Sequence, residues 1–442
     1  MRLDTWGQRT TVLLMLLPGM AATQRAVGQR SAAGEPLRVI RAENGPNSAQ
    51  AQTRHYVVLV MLEGFRADYL DRGHAAHLMA LGKQGARAPE GMLPSYPATG
   101  TPNRYTVVTG LYPGNHGLVA DSFYDPARKA RFSAGDPKSA GDGSWYGGVP
   151  LWSLAESQGM RSACIAWTGS AAKIAGFRPS YSVRDEGRNG RGQVEQVLKW
   201  LRLPESERPH LIAVDLPEPG SEAMRFGPEA PQTTAAVHRM DDLVGRLKAG
   251  LDATGLPVDL VVVSDRGLAK TEGGWITLDQ YTNLSGIETD GSLLYAPSEQ
   301  ERARIYRQLN HVSSFFVVYR RAEMPPELHA RRDAREGDPV VMPTGPYAIR
   351  ARGPAAGAPE KRPLAEGVDG MAPQSPQMRA IFVAAGPDIV PGKIVGPFEN
   401  VNLYPWIAHL LDLKAPKSEG SPNILSGTLR DDGVEPRAET SN

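Results

Sequence analysis

The stretch Met92–Gly117, MLPSYPATGTPNRYTVVTGLYPGNHG, has the outline of a phosphoryl-transfer site: a turn of small residues, a proline, then a helical run. A helix N-terminus suits an oxyanion, because unpaired amides and the helix dipole both favour negative charge there. Such a turn is expected to carry a hydroxyl nucleophile, and its hydroxyls are those of Thr99 and Thr101, on either side of Gly100. Other reactive types stand at the ends of apolar runs. Glu63-Gly64 follows YVVLVML, Pro219-Gly220 follows LIAVDL, and Asp265-Arg266-Gly267 follows DLVVVS. Carboxylates so placed can bind a cation or move a proton.

The elements that must position these residues are legible as apolar runs of strand length at 56–61, 162–167, 211–216, 259–264, 314–319 and 380–385. Several are continuous rather than alternating, as in strands covered on both faces. Helical patterns such as VPLWSLAESQG and TTAAVHRMDDLVGRLKAGL lie between them. The alternation predicts an α/β fold, a mostly parallel sheet with helices on both faces. Ligands in such sheets gather beyond the carboxyl ends of the strands, where the residues above fall.

The 442 residues carry a net charge of +1, which gives no sign of a nucleic acid or an anionic membrane as partner. Hydrophobic content of 41% suffices for a full core. Residues 1–28 read as an export signal, with Arg2 and Arg9 ahead of the apolar run Val12 to Leu17 and small residues ending in Ala26-Val27-Gly28. That run is too short to span a bilayer, and no later segment qualifies. Residues 29–53 read as a flexible lead-in, 54–427 as one domain, 351–363 as a surface loop and 428–442 as a polar tail. The single cysteine, Cys164, has apolar neighbours and reads as buried and inert.

The runs YVVLVMLEGFRADYL, SYPATGTPNRYTVVTGLYPGNHGLVADSFYDP, VPLWSLAESQGMRSACIAWTGS, DLVVVSDRGL, MRAIFVAAGPDI and FENVNLYPWIAHLLDL together resemble the nucleotide pyrophosphatase/phosphodiesterase branch of the alkaline phosphatase superfamily. They occur in the family's order. The resemblance implies an alkaline-phosphatase-like fold, two zinc ions held by Asp and His residues, a threonine nucleophile at a helix N-terminus, and cleavage of phosphodiester or pyrophosphate bonds. One metal would lower the pKa of the attacking hydroxyl while the other steadies the leaving oxygen.

Position by position, the chain departs from that pattern. The strand-end aspartate of the family's D-G-x-R motif is Glu63. Its extra methylene displaces the carboxylate by roughly a bond length, against coordination tolerances of about 0.2 Å. The family's Thr-aromatic-Pro-Asn is Gly100-Thr101-Pro102-Asn103, so the nucleophile's place is glycine. Thr99 and Thr101 are the substitutes within reach, and Thr101, ahead of Pro102, suits helix capping better than attack. The phosphate-site asparagine is Asp121. Two zinc ligands of Pro-Asp-Ser-x-Gly-His become Gly220 and Met224, the histidine of Asp-His-Gly becomes Arg266, and the last histidine becomes Asp369. Asp265 alone is unchanged; Glu63 and Asp369 keep an oxygen.

These departures imply a folded family member without its zinc site, exported, with a cleft that binds a small molecule or protein partner. The alternative is an active phosphodiester or pyrophosphate hydrolase with an altered metal site. No cofactor is expected. Glu63, Asp265 and Asp369 should converge, and Arg266 is expected to pair with them in place of a cation. The rival is a single hard cation, calcium or magnesium, held by the three acids. His116 is expected to be structural; His74, His77, His238 and His311 are expected at the surface or packed, and Trp167 and Tyr124 in packing or at the pocket rim.

Overall fold

A computed structural model describes residues 37–184, 190–330, 333–354 and 365–430. The expected export signal at 1–28 lies outside these residues, as do most of the 351–363 loop and of the tail.

The centre is a nine-stranded sheet. In chain order its strands are β1 (Val39–Arg41), β2 (Tyr56–Leu62), β3 (Ala86–Arg87), β4 (Ser162–Ile165), β5 (Tyr181–Val183), β6 (Leu211–Leu216), β7 (Val258–Val263), β8 (Phe382–Ala385) and β9 (Lys393–Ile394). Their order across the sheet is β1-β5-β4-β6-β2-β7-β8-β3-β9. The block from β5 to β7 is parallel throughout. β8 then runs antiparallel to β7, and β1 antiparallel to β5.

Successive side chains of a strand point to opposite faces, so a fully buried strand feeds two cores. Val57, Leu59 and Met61 of β2 pack with Tyr105, Val108, Trp152 and Trp406. Val58, Val60 and Leu62 pack with Leu78, Val197, Trp200, Val244 and Leu247 on the other side. Helices cover both faces, as the continuous apolar runs require.

Two expectations are corrected. Within the 29–53 segment, Val39–Arg41 forms the outermost strand and Ala49–Gln52 a helical turn capped by Ser48. A three-residue edge strand is too short to carry a periodicity that separates it from a loop. The run at 314–319 is a strand over Phe316–Tyr319, but it pairs with Val340–Pro343 in a separate two-stranded sheet. Phe316 and Val318 bury there in a satellite core with Leu294, Ile305 and Leu309.

Candidate functional site

The cleft forms where the carboxyl ends of β2, β6 and β7 meet the N-terminus of helix α1 (Gly100–Thr109). The turn before α1 is held by Asn103. Its Oδ1 accepts from Ser95 N at 2.7 Å, and its Nδ2 donates to the carbonyls of Pro97 and Thr99 at 2.9 and 2.8 Å. Gly110, at φ 63°, closes the helix in the left-handed conformation.

Thr99 is the residue at the N-cap, and its side chain makes no capping bond. Thr101 lies inside the first turn, so it does not cap as expected. Asp121 does that work from a distant loop: its Oδ1 accepts from Thr101 N at 3.0 Å. The helix N-terminus, the natural seat of an anion, is thereby taken by the chain's own carboxylate.

Arg104, which sequence reasoning passed over, stands one turn beyond Gly100. Helical side chains lean toward the N-terminus, so residues four apart share a face. Its Nη1 donates to Glu63 Oε1 and, at 3.3 Å, to Asp215 Oδ2. Its Nε lies 3.9 Å from Asp265 Oδ2. Arg266 completes the arrangement, with Nη1 donating to Asp265 Oδ2 at 2.6 Å and Nε to Asp369 Oδ2 at 2.7 Å. Asp265, fully buried, also accepts from the backbone amides of Gly64 and Arg266, each at 2.9 Å.

Both guanidinium groups lie over Gly100. A Cβ there would sit 2.9 Å from Arg104 Nη2 and 3.3 Å from Arg266 Nη1. Burial lowers the pKa of each arginine, but the surrounding acids raise it further, so both remain charged. Burial raises Asp369 above the usual carboxylate range, and the Arg266 partnership only partly offsets this.

Gly220 is held by close packing. It opens the short helix Gly220–Phe226, its amide donates to Glu63 O at 2.7 Å, and a Cβ on it would come within 2.8 Å of that oxygen. Gly64, at φ 65°, abuts it, and a Cβ there would lie 2.6 Å from Gly220 Cα. Met224, on the same short helix, is 37% exposed.

The three acids proposed as a hard-cation site do not gather into one donor group. Glu63 is engaged by Arg104, and Asp265 and Asp369 by Arg266. Among the described residues, the group of three whose ligand atoms lie within 4.8 Å of one another is His55, Asp259 and Asp388, at the far end of the sheet. His116 is structural: fully buried, its Nδ1 accepts from Leu118 N at 3.1 Å and its Nε2 meets Thr106 Oγ1 at 3.0 Å. Burial pushes its pKa down to about 3. Trp167 is buried in packing and donates to Arg104 O at 3.1 Å.

The comparisons with known proteins agree with the frame. The family model described as type I phosphodiesterase/nucleotide pyrophosphatase matches residues 57–362. An uncharacterised pyrophosphatase/phosphodiesterase of Schizosaccharomyces pombe is 32% identical over 399 residues, covering 86% of this chain and 80% of that protein. Human ectonucleotide pyrophosphatase/phosphodiesterase family member 1 is 29% identical over 430 residues; the match covers 93% of this chain but 45% of that longer protein. Among solved structures, murine ectonucleotide pyrophosphatase/phosphodiesterase 5 superposes with a TM-score of 0.79 at 25% identity, over 85% of this chain and all of the other. The same murine protein, as a threonine-to-alanine variant described as inactive, is also known in complex with AMP. A mixed α/β frame with a mostly parallel sheet, matched along most of its length by sequence and by structure, makes this chain a member of the nucleotide pyrophosphatase/phosphodiesterase family of the alkaline phosphatase superfamily.

Proposed function

We propose that this chain is a family member that no longer hydrolyses phosphodiesters and whose cleft serves to bind a small molecule or a protein partner. One observation carries the reading: the guanidinium groups of Arg104 and Arg266 lie over Gly100 and engage Glu63, Asp265 and Asp369. The family is of a metal-dependent type, and two zinc ions do not fit these residues. The donor set has no imidazole, and its carboxylates are bonded to fixed positive charges that would repel a metal. The nucleophile position carries no hydroxyl, and Thr99 and Thr101 have their places in the turn and the first helical turn rather than at Gly100.

The charge balance narrows the ligand. Glu63, Asp121, Asp215, Asp265 and Asp369 surround two arginines, so the cleft is acidic overall. A phosphate group is disfavoured there, most of all at the helix N-terminus that Asp121 occupies. Export is part of the same proposal. It rests on the 1–28 sequence and on relatives named as ectoenzymes and venom enzymes. No described helix is long and apolar enough to cross a membrane.

The decisive assay is hydrolysis of p-nitrophenyl phosphodiesters by the purified protein, with and without added zinc. The expected outcome is no turnover above background in either. Zinc-dependent turnover would overturn the proposal in favour of an altered but working metal site. N-terminal sequencing of the protein recovered outside the cytoplasm tests export; a chain that stays inside with residues 1–28 attached would refute it.

A further inference from the structure

The end of the central sheet opposite the cleft brings together a second set of ionisable side chains. His55 immediately precedes β2, Asp259 is the second residue of β7, and Asp388 follows β8 by three positions. The register explains their meeting: Val258 pairs with Tyr56 across the parallel β2–β7 ladder, and Leu260 with Ala385 across the antiparallel β7–β8 ladder. One imidazole and two carboxylates from three separate segments therefore converge by topology.

The contacts are those of a donor set. His55 Nδ1 lies 2.8 Å from Asp388 Oδ2. Asp388 N donates to Asp259 Oδ1 at 3.1 Å. Asp259 Oδ2, in a fully buried residue at the core of the sheet, has no hydrogen-bond partner among the described residues. Gly386 lets the turn lie directly against Asp259, since a Cβ there would overlap the Asp259 side chain. The other side of the group is open, with the side chains of His55 and Asp388 exposed to 40% and 22%. A buried carboxylate oxygen without a donor is costly and calls for a cation or a proton.

We infer that His55, Asp259 and Asp388 form a binding site for one divalent transition-metal ion of the zinc class, separate from the cleft. The imidazole selects for zinc-like ions over calcium or magnesium, which prefer oxygen alone. Ligand distances near 2.0–2.2 Å to nitrogen and oxygen require only a modest closing of donors already within 4.8 Å of one another. Water fills the remaining coordination positions on the open side. The bound ion would tie the start of β2, the start of β7 and the turn after β8 together.

The test uses the purified full chain, stripped with a chelator and titrated with zinc by calorimetry and with cobalt by visible absorption. The expected result is one saturable equivalent, with a rise in melting temperature on zinc addition. His55→Gln and Asp388→Asn lie on the open side, where a substitution leaves the core untouched. Each should weaken binding at least about tenfold, the lower range seen for loss of even an indirect partner of a metal ligand. Glu63→Gln in the cleft should leave the equivalent intact. Absence of saturable binding in the wild-type chain would overturn the inference. So would binding that survives both far-end substitutions but disappears in Glu63→Gln, because the metal would then belong to the cleft.

Discussion

The two ends of the central sheet handle crowded carboxylates in opposite ways. At the carboxyl end, two arginines reach in and bond to the acids: Arg104 to Glu63 and Asp215, Arg266 to Asp265 and Asp369. At the other end, His55 and a backbone amide are the hydrogen-bond partners of the Asp259–Asp388 pair. At the first end the counter-charge is fixed and permanent, supplied by two guanidinium groups. At the second, Asp259 Oδ2 is buried and has no hydrogen-bond partner among the described residues. The lesson is that the same crowding of acids is met by arginine bonds at one end and leaves a carboxylate oxygen without a donor at the other.

The largest effect should come from removing a fixed charge. Arg104→Met leaves Glu63 and Asp215 without that partner, and loss of one member of a buried pair costs about 3–5 kcal/mol. Urea unfolding at pH 7 should register that loss, and it should shrink on acidification as the acids take up protons. Were Arg104→Met nearly neutral, the fixed-charge account of the cleft would fail. Asp259→Asn tests the other end. The folded-state pKa of Asp259, about 8, lies above its ordinary value of 3.8. The associated stability is therefore complete below the ordinary value and is lost as pH rises through about 8. The asparagine variant should gain on the wild type by roughly a few kcal/mol between pH 5 and 9 in chelator, read as diverging melting temperatures. Parallel pH curves would show that Asp259 is not the group responsible.

Smaller effects sharpen the contrast. Gly100→Thr should not restore phosphodiesterase activity. It should cost about 1–3 kcal/mol, since its Cβ falls 2.9 Å from Arg104 Nη2. A gain of zinc-dependent turnover would instead show that the nucleophile was the missing element. Asp121→Ala, the mildest change, removes an N-terminal acceptor worth about 1 kcal/mol. It should also let the freed helix terminus bind inorganic sulfate, measured by calorimetry.

Much of this was legible in the sequence, for physical reasons that differ by residue. Glu63 and Asp265 announce themselves because an acid directly after a buried apolar strand must lie at its end. The substitutions at Gly100, Arg266 and Asp369 were visible because the flanking motifs fixed their positions. Arg104 was not. In PNRYTVV it reads as an ordinary polar helix residue, and only its four-residue spacing from Gly100 hints that it leans over the turn. Asp215 hid inside the apolar run LIAVDL, where it is paired beside Met61 of β2. The capping of α1 by Asp121 joins residues twenty apart through a loop, beyond any local signal. The far-end group depends on the β2–β7 and β7–β8 registers, so no motif could reveal it.

The contact between Gly64 and Gly220 also limits what either position can carry. Any side chain returning to position 220 would strike the Glu63 carbonyl, and one at position 64 would strike Gly220 itself. An aspartate at position 220 would demand that the two segments first part, so that substitution alone meets a steric barrier. The close approach of these two glycines thus sets how near a side chain can come to the end of β2 on this side.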